Sequence, residues 1–201
     1  MKHTKSKILV LVLTLFGMSA LDAQEKGISE VGVGYGIATS NELIQIFTNG
    51  LIYPASLGTI NTDNQQSSGA IYAEYNYAVA NRLMIGGDIV YERFTEDVRS
   101  NNTLIGKQTE NVFTIAIKSN YNYISKPNFR LYSGIGLGYS MTNQKFESNG
   151  NTNTDVSDDN TGGFNFHLAG LGIRVGNKMA FKAELGFGYK GIISGGLNYR
   201  F

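Results

Sequence analysis

The stretch Ile193-Ser194-Gly195-Gly196-Leu197-Asn198-Tyr199-Arg200-Phe201 decides how this chain is read. Ile193, Leu197, Tyr199 and Phe201 are bulky and apolar, and they alternate with Ser194, Gly196, Asn198 and Arg200, which are small or polar. Successive side chains of a strand point to opposite faces, so this stretch is a strand with two unlike surfaces.

Working back from it, the same period recurs seven times. Val31, Val33, Tyr35 and Ile37 alternate with Gly32, Gly34 and Gly36, and Ile71, Ala73, Tyr75 and Tyr77 alternate with Tyr72, Glu74 and Asn76. Leu83, Ile85, Ile89 and Tyr91 oppose Gly86, Asp88 and Glu92. Phe113, Ile115, Ile117, Tyr121 and Tyr123 oppose Thr114, Ala116, Lys118, Asn120 and Asn122. Leu131, Ile135, Leu137, Tyr139 and Met141 face away from Gly134, Gly136, Gly138 and Ser140. Phe181, Ala183, Leu185, Phe187 and Tyr189 oppose Lys182, Glu184, Gly186 and Gly188. The remaining segment, Phe164 to Val175, loses phase around Gly170-Leu171-Gly172, the signature of a bulge.

Eight strands could close into a soluble barrel, apolar inside and charged outside, or into its inverse. One face here is almost free of charge over the 9–11 residues that a tilted spanning strand needs. The other mixes glycine with isolated charges of both signs: Glu74, Asp88, Glu92, Lys118, Lys182, Glu184 and Arg200. Charges sparse enough to pair fit a narrow, filled lumen. Lysine or arginine facing lipid would cost about 2–4 kcal/mol near the midplane. The expected fold is therefore all-β: an eight-stranded antiparallel up-and-down transmembrane β-barrel.

The first 24 residues read differently. Lys2, Lys5 and Lys7 precede an apolar run from Ile8 to Phe16, and small residues lead to Ala23-Gln24. That order predicts a secretory signal peptide over 1–24, with the barrel domain over 25–201. Its removal takes three lysines and one aspartate, leaving 14 basic and 15 acidic groups. Such a balance offers no basic field for nucleic acid. Cysteine is absent, so no disulfide holds the fold, and tryptophan is absent too.

Short turns are expected near Val79–Arg82, Ser125–Asn128, Gly176–Lys178 and Lys190-Gly191. Long polar loops are expected at Ser40–Ser67, Thr95–Thr109 and Thr142–Gly163. Short turns belong at the periplasmic rim, which also places both termini there. Within the first loop, Thr39-Ser40-Asn41-Glu42 has the form of a capping box, and Leu43, Ile44, Ile46, Phe47 and Leu51 fall at helical spacing. A short amphipathic helix is expected over Asn41–Asn49, placed to cap the mouth, lie at the lipid interface or meet a partner.

An export signal, eight alternating strands and a terminal aromatic together resemble the small eight-stranded outer-membrane β-barrel proteins of Bacteroidetes-type bacteria, over residues 27–201. The resemblance implies location in the outer membrane. It also implies that Leu197, Tyr199 and Phe201 are the address read by the barrel assembly machinery. Partners expected on this basis are outer-membrane lipid and that machinery, with the barrel a monomer and any surface partner unidentified. Members differ in role, so fold alone transmits no function.

Other signals are weaker. The glycine alternations lie inside strands with no helix following, unlike phosphate-cradling loops. Lys182 and Glu184 share an inward face with Arg200 near them, which predicts a structural network of salt bridges. His167, the one histidine after the signal, lacks a neighbouring serine and reads as a packed or rim histidine rather than a catalytic base. Asp155, Asp158 and Asp159 lack the spacing of a calcium loop and read as solvated. No catalytic residue, metal ligand or cofactor is assigned. The expected function is a non-enzymatic envelope protein with a structural or surface-interaction role. Alternatives are a small pore or carrier for apolar molecules, a lipid-modifying enzyme, and a soluble periplasmic lipid-binding barrel.

Overall fold

The computed structural model describes residues 26–45, 60–101, 103–148 and 159–201. The expected signal over 1–24, the end of the expected helix over 46–49, and Asp155 and Asp158 lie outside them. The strands are β1 (Ser29–Ile37), β2 (Ile60–Ser67), β3 (Ala70–Ala80), β4 (Leu83–Ser100), β5 (Thr103–Lys126), β6 (Phe129–Ser148), β7 (Asp159–Gly176), β8 (Met179–Gly188) and β9 (Ile193–Arg200). A helix, α1, begins at Ser40 and is described as far as Gln45.

Every pairing is antiparallel, and the sheet closes on itself. β9 pairs with β1, β1 with β3, β3 with β4, and the ladder runs on through β5, β6, β7 and β8 back to β9. β2 stands beyond β3 on the same neighbour: Ser67 lies opposite Phe94, and Ile71 opposite Tyr91. The two are lengths of one barrel strand, interrupted at Ser68-Gly69, where Gly69 adopts φ 67°. The ring therefore has the eight members that the periodicity predicts.

The faces are divided as the alternation predicts. Val33, Ile71, Ile89, Ile117, Leu137, Phe181 and Leu197 are exposed, whereas Glu74, Asp88, Lys118, Lys182 and Glu184 are buried. The sheet is thus apolar outside and polar inside, the arrangement that suits lipid. The loss of phase in β7 is a bulge: its register with β8 shifts between Ala169 and Leu171. Gly170 and Leu171 consequently both lie on the outer face, and Gly172 turns inward again.

Two expected loops are largely strand instead. β4 and β5 remain paired from Leu83↔Tyr121 to Ser100↔Thr103, so Thr95–Thr109 is the upper part of a long hairpin. β6 continues to Ser148 and β7 starts at Asp159, which removes most of the expected loop at Thr142–Gly163. The physical reason is common to both. Above the lipid band neither face of a strand needs to be apolar, so the period-two signal fades while backbone pairing continues. The hairpin turns at Asn101, whose φ of 46° is a conformation asparagine tolerates.

Candidate functional site

The inward row of each strand meets the others in three layers along the barrel axis. In the middle layer three carboxylates face three ammonium groups. Lys118 Nζ lies 2.5 Å from Glu74 and 2.7 Å from Asp88. Lys182 Nζ lies 2.7 Å from Glu74 and 3.0 Å from Glu184. Lys190 Nζ reaches Glu74 and Asp88, each at 3.1 Å, and Glu184 at 3.7 Å. Neutral donors complete the carboxylates: Asn198 Nδ2 donates to Glu74 at 2.8 Å, Tyr189 to Asp88 at 2.9 Å and Tyr132 to Glu184 at 2.8 Å. Burying charge is tolerable only when it is paired and hydrogen-bonded, and here the two signs balance.

The layer nearest the short turns is built around Glu30. Its carboxylate pairs with Arg130, with Arg174 Nε at 3.4 Å and with Arg200 Nε at 3.0 Å. Backbone carbonyls take part of the surplus positive charge: Arg174 donates to Gly176 O and Asn177 O, both at 2.9 Å. Arg200 was expected beside Lys182 and Glu184, and the register explains why it is not. Arg200 lies opposite Glu30 on β1, while Glu184 lies opposite Ser194 on β9.

The third layer is the mouth. Glu92 stands above the ion pairs and accepts from Thr39 Oγ1 at 2.6 Å, Asn41 Nδ2 at 3.1 Å and Ser67 Oγ at 3.5 Å. Glu110 on β5 accepts from Gln45 Nε2 at 2.7 Å. Thr39 also caps α1, its Oγ1 accepting from Glu42 N at 3.0 Å, as the capping box predicts. The helix is thereby tied across the opening by carboxylates on β4 and β5.

Four charged groups of the two ion-paired layers lie outside the stretches that the alternation singles out. Glu30, Arg130 and Arg174 share the inward parity of Gly32, Gly134 and Gly172, and extending each alternation to the strand end would have found them. Lys190 carries no such signal, because it lies beyond β8 in what reads as a turn. The alternation of β8 places Tyr189 on the outer row, whereas its ring is buried in the lumen. Gly188 adopts φ 135°, which breaks the alternation and turns the ring inward. A Cβ on Gly136 would run into the Tyr189 hydroxyl, and one on Gly172 into the Tyr132 ring, so glycine on the inner face makes room for these tyrosines.

The interior is filled. The cavity among Glu30, Asn76, Arg130, Arg174 and Lys182 measures about 10 Å³, room for one water. His167 is buried, with Nε2 3.7 Å from Glu184 and its ring 5.3 Å from that of Tyr189. Ser194 Oγ bonds Glu184 at 3.4 Å, so the carboxylate stands between serine and imidazole instead of behind the imidazole as a hydrolytic triad requires. Among the described residues, no group of three or more histidines and carboxylates could hold a metal ion. Leu197, Tyr199 and Phe201 lie exposed on the outer face of the closing strand, with the Tyr199 and Phe201 rings stacked at 6.4 Å.

Comparison with known proteins adds the family. The model of the outer membrane protein beta-barrel domain matches residues 8–201. Among solved structures, the attachment invasion locus protein Ail of Yersinia pestis, in complex with the heparin analogue sucrose octasulfate, superposes with a TM-score of 0.47 at 13% identity, covering 88% of this chain and 100% of that one. Ail alone gives a TM-score of 0.44 at 11% identity, with the same coverage of both chains. The translocator domain of the autotransporter NalP from Neisseria meningitidis gives 0.38 at 14% identity, covering 100% of this chain and 98% of that one. No curated protein matches the sequence.

Proposed function

The chain belongs to the outer membrane protein beta-barrel domain family, and from that premise we propose that this outer-membrane protein is non-enzymatic and acts by presenting a surface to other molecules outside the cell. One observation carries the reading. β1, β3, β8 and β9 end together near Ile37, Ala70, Gly188 and Ile193, while β4, β5, β6 and β7 rise well past them. With β2 their upper lengths make a five-stranded sheet, apolar on its outer face as far as Tyr91, Phe113, Met141 and Phe164 and rising above the lipid band beyond them. Among the described residues this sheet is open: β2 pairs only with β4, and β7 above Phe166 pairs only with β6. Open edges offer backbone donors and acceptors to an added strand.

The filled lumen argues against the pore reading, since an eight-stranded barrel has an interior only just occupied by side chains. We also infer that residues 1–24 are removed on export, that Leu197, Tyr199 and Phe201 address the assembly machinery, and that the barrel sits in lipid as a monomer.

The test replaces Glu96–Gln108 with a two-residue turn, shortening the hairpin without touching the lumen. Cells bearing this variant should adhere less to surfaces and to one another than cells bearing the full chain, with an unchanged melting temperature of the barrel. Equal adhesion would overturn the surface role, and steady ohmic conductance in planar bilayers would favour the pore.

A further inference from the structure

Above the closed ring, β7 runs on with one side unpaired among the described residues. From His167 to Gly176 it pairs with β8, and Tyr189 N closes that ladder by donating to Phe166 O at 3.0 Å. Above this point the chain of β8 has already turned away toward β9. Among the described residues, the next neighbour of upper β7 is α1, and Asn165 joins the two. Asn165 accepts from Ser40 Oγ at 3.1 Å and donates to Asn41 Oδ1 at 3.2 Å and to Ser140 Oγ at 3.0 Å.

Around this tie lies a cleft of about 500 Å³, within the range of small-molecule sites. Its walls are of two kinds. Leu43 and Ile44 on α1, with Phe164, Phe166 and Phe187 on the outward rows, form an apolar side continuous with the lipid-facing surface. Phe164 is 96% exposed, an aromatic ring with almost no cover of its own. Toward the mouth the lining becomes Asn41, Asn165, Thr142 and Thr161, all neutral hydrogen-bonding groups. Among the described residues, no lysine, arginine or histidine lines the cleft, and Glu92 stands directly behind Asn41 at 3.1 Å.

We propose that this lateral cleft binds an uncharged single-chain amphiphile from the outer leaflet, its acyl chain along the phenylalanines and its hydroxyl or ester head against the amides. The chemistry selects the class. The apolar wall opens sideways to lipid, so the chain enters from the membrane. The neutral head pocket, with a carboxylate behind it, favours a glyceride over a carboxylate or phosphate. The site rests on the barrel being seated in the outer membrane, and it adds a ligand to that reading.

The test exploits the absence of tryptophan from the chain. Phe187→Trp places the single indole in the cleft, and Ile115→Trp places it on the outward face of β5. Each variant is reconstituted in phosphatidylcholine nanodiscs and titrated with a dibrominated monoacylglycerol. Quenching of the Phe187→Trp variant should saturate at a several-fold lower mole fraction than that of Ile115→Trp. A Cβ on Gly163 meets nothing within 4 Å, so Gly163→Leu fills the cleft without straining the fold. In the Phe187→Trp background this change should reduce quenching to the level seen at Ile115→Trp. Equal, non-saturating quenching at both positions would overturn the site. So would insensitivity to Gly163→Leu, or equal quenching by the brominated fatty-acid carboxylate. If brominated phosphatidylcholine fails to quench Ile115→Trp, the barrel is not in the bilayer, and the membrane premise falls along with the site.

Discussion

Glu74 receives three lysines and an asparagine on two oxygen atoms, all of them buried. Removing one partner from such a set leaves uncompensated charge, at a cost of about 3–5 kcal/mol. Glu74→Gln should therefore lower the temperature at which the folded band converts on unboiled gels, and Glu184→Ala should lower it too. An unchanged conversion temperature in either variant would mean that the ion pairs are not what holds the lumen. The sequence carried part of this layer openly: Glu74, Asp88, Lys118, Lys182 and Glu184 each fall on the glycine-rich parity of a strand. Which of them touch was not legible. Contact across the barrel depends on the stagger of eight strands, and alternation within one strand carries no information about stagger. Arg200 shows the point, since its face was readable and its partner was not.

Elements above the lipid band follow different rules. The helix α1 was visible because its cap and its apolar spacing are local signals, and Thr39 serves two ends at once. Thr39→Ala should cost about 0.5–2 kcal/mol of helix stability through loss of the cap alone. Amide exchange over 40–45 should quicken while the barrel strands keep their protection; unchanged exchange would show that α1 is held by other contacts. The upper β4–β5 hairpin was invisible for the opposite reason, since its ladder depends on partner backbone and its side chains meet water on both faces. An epitope inserted after Asn101 should be tolerated, leave the melting temperature unchanged and bind antibody on intact cells. Failure to label would place this rim in the periplasm.

For the whole molecule, the outward rows make a continuous apolar belt, and among the described residues the wall is all strand. Ile117 sits in the middle of β5 and is 73% exposed. Ile117→Arg should cost about 2–4 kcal/mol, read as a lower urea midpoint of the barrel in vesicles. No loss of stability would place this face in water.

The three interior layers also divide by chain half. Before the turn at Pro127-Asn128, the strands send in Glu30, Glu74, Asp88 and Glu92 against one lysine, Lys118. After it the strands and the β8–β9 connection send in Arg130, Arg174, Lys182, Lys190 and Arg200 against one acid, Glu184. Each half of the closed wall contributes a strongly charged concave side, and the two signs are opposite. Fragments divided at that turn would attract each other and reject a second copy of themselves, so heterodimeric reassembly is written into the lining before any strand has paired.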